Sequence, residues 1–164
     1  MLFRNCVWAA CLASTVSVAA AQGPFLSTYR MGPAFSSGAP TGIAAGLEAQ
    51  LNSPDYSGKT SGDALPVSLS VDVVYHSHFT NFPLLLNLRL DPRSMSLPTG
   101  PLFYELGIGA QWSTGDEGSG IRLAYGASVG LFVNSARSAS IEVRYYGSGN
   151  NKSNSLAALI GFRS

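Results

Sequence analysis

Residues 102–133 read LFYELGIGAQWSTGDEGSGIRLAYGASVGLFV, and this stretch decides the fold. Every second residue of its first half is apolar: Leu102, Tyr104, Leu106, Ile108, Ala110 and Trp112. Between them stand Phe103, Glu105, Gly107, Gly109, Gln111 and Ser113. After the break Thr114-Gly115-Asp116-Glu117-Gly118, Ile121, Leu123, Tyr125, Ala127, Val129, Leu131 and Val133 alternate with Arg122, Ala124, Gly126, Ser128 and Gly130. This is the period of a strand, not of a helix. Strands of globular proteins average roughly five or six residues. Runs of about ten, apolar on one face and small or polar on the other, match what a tilted strand needs to cross a bilayer. The stretch therefore predicts a hairpin of a membrane-spanning barrel.

The same alternation recurs on either side. Further runs are read at 25–35, 42–51, 65–78, 82–90, 138–146 and 153–162, separated by Gly, Pro, Ser, Asn and Asp clusters. With the hairpin they make eight, the smallest common strand number for an outer-membrane barrel. The expected fold is all-β, an eight-stranded antiparallel up-and-down transmembrane β-barrel.

The charges follow the alternation. Arg30, Glu48, Asp72, Arg89, Glu105, Arg122, Glu142 and Arg144 each lie on the less apolar parity of their own run. A charge facing lipid near the midplane costs roughly 2–4 kcal/mol, which is reason enough for the placement. Four are positive and four negative, so a lumen carrying them all is neutral. Buried charges must be paired. These eight are the expected structural residues, an ion-pair network filling the lumen with Gly and Ala making room for it.

The chain opens with Arg4, an apolar stretch at 7–13 and small residues running to Ala19-Ala20-Ala21. This predicts a signal peptide, residues 1–21, cleaved before Gln22, and a barrel domain over 22–164. A lipoprotein signal ending at Cys11 is the competing reading, with Trp8 standing where a Leu is expected. Cys6 and Cys11 both fall inside the signal, so the mature chain is expected to carry no disulfide. Without Arg4 the ten basic residues become nine, matching nine acidic ones, and a neutral chain gives no support for nucleic-acid binding. Expected partners are outer-membrane lipid and the barrel-assembly machinery, and no cofactor is implied.

A periplasmic N-terminus makes the outward turns 36–41, 79–81, 114–118 and 147–152. The connections at 52–64, 91–101 and 134–137 then face the periplasm, and two of them are longer than any outward turn. Short outer tips weaken an adhesin reading. An eight-stranded barrel is filled by its own side chains, which argues against a diffusion pore. Trp112, Tyr29, Tyr75, Tyr104, Tyr125 and Tyr145 are expected in aromatic girdles.

Candidate chemistry is thin. His76 and His78 on one face of the third run would stand about 7 Å apart, but no Cys or matching carboxylate completes a metal site. Polar lining near the rim is the favoured reading. Asp72 and His76 are about 13 Å apart along a strand, so a Ser-His-Asp site would have to be assembled across strands. Gly107-x-Gly109 and Gly147-x-Gly149 do not open helices and are not phosphate loops.

The stretch Ile141-Glu142-Val143-Arg144-Tyr145-Tyr146-Gly147-Ser148-Gly149-Asn150 resembles the closing hairpin of the lipid A deacylase family, itself an eight-stranded outer-membrane barrel. The resemblance would place that family's catalytic His, nucleophilic Ser and Asn on Gly147, Gly149 and Asn150, and the Asn alone matches. Without imidazole or hydroxyl there is neither base nor nucleophile for ester hydrolysis. The whole mature chain resembles small barrels of the opacity-protein type. Its Leu159-Ile160-Gly161-Phe162 looks like the aromatic-ended strand that assembly machinery recognises, with Arg163 and Ser164 following. These readings lead to a non-enzymatic protein of the bacterial outer membrane with a structural or surface-interaction role. The alternatives are a lipid A-modifying hydrolase, or a soluble periplasmic barrel binding an apolar ligand.

Overall fold

The computed structural model describes residues 27–51, 67–90, 102–116, 118–134, 137–149 and 153–163. Eight strands follow in order: β1 Ser27–Ser36, β2 Ala39–Gln50, β3 Val67–Tyr75 and β4 Phe79–Leu90, then β5 Leu102–Gly115, β6 Gly118–Phe132, β7 Ala139–Ser148 and β8 Ser155–Arg163. Each pairs antiparallel with the next, and β8 returns to pair with β1, closing the barrel. The expected signal peptide and the connections at 52–64 and 91–101 lie outside the described residues.

Period two accounts for the longest pair. β5 and β6 run 14 and 15 residues and are in register from Leu102↔Leu131 to Gly115↔Gly118. Asp116 follows Gly115 at the tip, and Gly118 takes a positive φ of 107° that a side chain would resist. Three prolines sit inside strands, where the missing N–H has a cost, and Pro40 falls in the β1–β2 register shift between Ala34↔Gly42 and Ser36↔Ala39. Opposite Pro83 the β3–β4 ladder skips from Val71↔Leu84 to Val74↔Asn81, and beside Pro33 the β1–β8 ladder skips from Met31↔Ile160 to Ala34↔Ala157.

Several boundaries differ from expectation, and two strands start three residues early. β4 starts at Phe79 and pairs at once with Gly115, so the turn before it spans residues 76–78 and not 79–81. β2 starts at Ala39, three residues before the expected run. In both places Thr, Pro and Asn read as turn chemistry, but long neighbouring strands supply a ladder that overrides it.

The two faces divide cleanly. Outward stand Met31, Ile43, Val71, Leu86, Leu106, Ile108, Leu123, Ile141 and Ile160, all exposed, with Ile108 at 60%. Tyr75, Tyr104, Tyr125 and Trp112 share this outer face, Trp112 stacking on Phe82 at 5.1 Å. Inward stand Ser70, Asp72, Asn87, Glu105, Gln111 and Arg144, all buried. A soluble carrier of apolar ligands needs the opposite arrangement, so that alternative is set aside.

Inner residues fit by size. Phe103 pairs with Gly130 and its ring lies where a Cβ on Gly130 would be, 2.2 Å away. The ring also supports Arg89, whose guanidinium carbon is 4.8 Å from its centre.

Candidate functional site

Period two aims one charge or two inward from each of six strands. Arg30 of β1 donates to Asp72 of β3 through Nε and Nη2, both at 2.9 Å, and its Nη1 reaches Glu48 of β2 at 2.8 Å. Arg89 of β4 joins Glu48 at 3.0 Å and Glu105 of β5 at 2.9 Å. Arg144 of β7 donates through Nε to Glu142 at 2.6 Å and contacts Glu105 through Nη2. Glu105 also lies 3.8 Å from Arg30, so the contacts span the lumen. All seven side chains are almost wholly buried.

The eighth expected charge is placed elsewhere. Arg122 is exposed, sits opposite Gln111, and lines the barrel's open end. Its parity is inward, but it lies too near the β5–β6 tip to reach the carboxylates. The network therefore holds three arginines and four carboxylates rather than an equal number. Arg163 also faces inward at the end carrying the chain termini and donates to Gln50 Oε1 at 2.5 Å.

His76 and His78 part company. β3 ends at Tyr75, and His76 turns into the barrel, donating from Nδ1 to the Pro40 carbonyl at 3.0 Å. That leaves Nε2 facing the Ser155 hydroxyl at 3.2 Å. Gly42 makes the room, since a Cβ there would stand 2.7 Å from the imidazole. His78 is exposed on the turn and meets Asp116 at 3.1 Å. The two rings share no ligand geometry, and the described residues contain no group of three or more metal-binding side chains.

The His76–Ser155 pair is an imidazole–hydroxyl contact that spacing along one strand did not reveal. Its third member is a backbone carbonyl and not a carboxylate, and both side chains are buried inside the wall. At the positions the deacylase resemblance singled out, Gly147 is buried with the Tyr125 ring over it and Gly149 donates its N–H to the Leu123 carbonyl. Asn150 lies outside the described residues.

Above the network, at the end carrying the short turns, the lumen opens into a cup of about 360 Å³. Asn81, Ser113, Ser153, His78, Asp116 and Arg122 line it, contributed by the β3–β4 and β5–β6 hairpins and the approach to β8. At the opposite end the opening beside Arg89, Phe132 and Arg163 holds only about 10 Å³.

No family model matches the chain, and no curated protein matches it in sequence. Solved structures do match in fold. The Yersinia pestis outer membrane protein Ail, in a phospholipid bilayer nanodisc, superposes with a TM-score of 0.56 at 13% identity, over 85% of this chain and 99% of that one. The outer membrane enzyme PagL superposes with a TM-score of 0.55 at 12% identity, over 84% of this chain and 97% of that one. Neisserial surface protein A gives 0.49 at 14% identity, over 85% and 94%. The chain has the fold of the small eight-stranded outer-membrane barrels. One of these neighbours is an enzyme, so the fold does not decide the activity.

Proposed function

We propose that this protein resides in the bacterial outer membrane as a barrel with a filled, non-conducting lumen. Its role is structural or one of surface interaction, without enzymatic activity. The observation that carries the reading is the division of faces: large apolar side chains circle the outside, and seven buried charges are bonded to one another inside. Lipid satisfies the first face, and the bonded charges fill the second between the two openings. The outward Phe162 near the end of β8 fits recognition by barrel-assembly machinery. The test is gel migration of detergent-refolded protein with and without boiling, alongside conductance across a planar bilayer. A compact unboiled band and no steady current support the reading. A protein that stays soluble without detergent, or conducts, overturns it.

The His76–Ser155 contact favours one second reading, hydrolysis of a lipid ester. Against it, the hydroxyl is buried within the barrel, and an acyl chain in the bilayer would have to cross the wall to reach it. Mass spectrometry of lipid A from cells overproducing the protein and its Ser155→Ala variant decides. Unchanged lipid A in both supports the non-enzymatic reading, and acyl loss that disappears in the variant establishes the hydrolase.

A further inference from the structure

The polar groups of the cup do not suit one another. Asn81 donates from Nδ2 to the Ser153 carbonyl at 2.8 Å, which fixes the amide's orientation. Its Oδ1 is then left in the floor, buried and without a hydrogen-bond partner. Arg122 on the wall has no ion-pair or hydrogen-bond partner among the described residues, and Asp116 stands exposed beside His78. Among the described residues the site thus offers an acceptor with no donor, a cation with no acceptor, and a carboxylate with spare acceptor capacity.

A ligand that meets these demands both donates and accepts hydrogen bonds. Phosphate offers acceptors to Arg122, but its negative charge is repelled by Asp116 on the same wall. An ammonium offers donors to Asn81 and Asp116 but is repelled by Arg122. A hydroxyl does both, and several hydroxyls on one rigid ring reach several walls together. The half-buried Phe79 ring adds an apolar patch suited to the C–H face of such a ring. The volume lies at the lower end of the range for small-molecule sites, about 300–1,000 Å³.

We infer that the cup formed by Asn81, Ser113, Asp116 and Arg122 binds a neutral saccharide. The inference rests on the surface-protein reading and gives that role a ligand class. Asn81 and Asp116 accept from sugar hydroxyls, Arg122 donates to one, and Phe79 packs against the ring.

The test is NMR of the isotope-labelled protein refolded in nanodiscs. The probes are methyl glycosides of glucose, galactose and N-acetylglucosamine, dephosphorylated core oligosaccharide from lipopolysaccharide, and inorganic phosphate. The expected result is saturable shifts confined to the cup with at least one saccharide. Arg122→Ala weakens binding about tenfold or more, as loss of a charged hydrogen bond does. Asn81→Ala weakens it as well. Preference for the core oligosaccharide assigns the ligand to the cell's own lipid, and preference for a simple glycoside assigns it to an external glycan. No saccharide shift in a protein that still changes migration on boiling overturns the inference and leaves the barrel reading intact. Shifts with phosphate alone overturn it too. Absence of the migration change sinks the barrel reading instead.

Discussion

Arg30 and Asp72 sit two strands apart and meet through a two-pronged bond, both contacts at 2.9 Å, passing over Gly46 of the strand between them. Gly46 pairs with Arg30 on one side and with Asp72 on the other. A Cβ on it would stand 1.7 Å from Asp72 Oδ1. The pairing of charges therefore depends on an uncharged residue that touches both.

Gly46→Ala is expected to destabilise the barrel by about 1–3 kcal/mol, the usual cost of overpacking a filled interior. Gly120→Ala, with nothing within 4 Å of its added methyl, is the control. Urea unfolding in lipid vesicles, followed by tryptophan fluorescence, measures both. Equal midpoints would show that Asp72 yields freely.

Arg30→Met leaves Asp72 with only the longer contact to Arg144 at 3.9 Å and takes from Glu48 one of its two arginines. Breaking a buried pair on one side costs about 3–5 kcal/mol. The double variant Arg30→Met with Asp72→Leu is expected to recover part of that, and a double-mutant cycle on folding free energy measures how much. No recovery would mean the bond between them contributes little beyond its neighbours.

The surplus carboxylate makes the four acids unequal. Glu48 is held by Arg30 at 2.8 Å and Arg89 at 3.0 Å, whereas Glu142 has Arg144 at 2.6 Å and Arg30 only at 4.0 Å. Either Glu→Gln change leaves three arginines against three carboxylates, but Glu48 gives up two charged bonds. Glu142→Gln is expected to shift stability by less than about 1 kcal/mol and Glu48→Gln to cost about 1.5–3 kcal/mol. The reverse order in denaturant titrations would refute the surplus argument.

On the outer face the cost of a charge depends on depth. Leu106 lies well inside β5 and Leu102 begins it. Leu106→Arg is expected to cost about 2–4 kcal/mol and Leu102→Arg about 0–1 kcal/mol. Refolding yield into vesicles, read from unboiled gel bands, separates them. Matching yields would place the bilayer elsewhere along the strands.

The division of faces was legible because a strand's side-chain period is two, so Glu105 and Leu106 fall on opposite sides whatever the strand pairs with. Height along the barrel is not contained in parity. Arg122 has the parity of Ser128 but stands at the rim, away from the carboxylates of the lumen network. Partners were equally hidden: Arg30 finds Glu48 and Asp72 because two registers bring them level, and no single run carries that information. Alternation also fails where strands stop, which is why His76 and His78 read as one face but point to a buried serine and an exposed aspartate.

Apart from Arg144–Glu142 within β7, each bond of the network joins two different strands, some far apart along the chain. Arg30 comes first and lies within 4.0 Å of Glu142, which comes near the end. A barrel missing its last hairpin would take Arg144 from both Glu105 and Asp72, leaving Glu105 to Arg89 and Asp72 to Arg30. The arginines and carboxylates thus act as a latch whose full set of bonds exists only in the closed barrel and not in an open sheet.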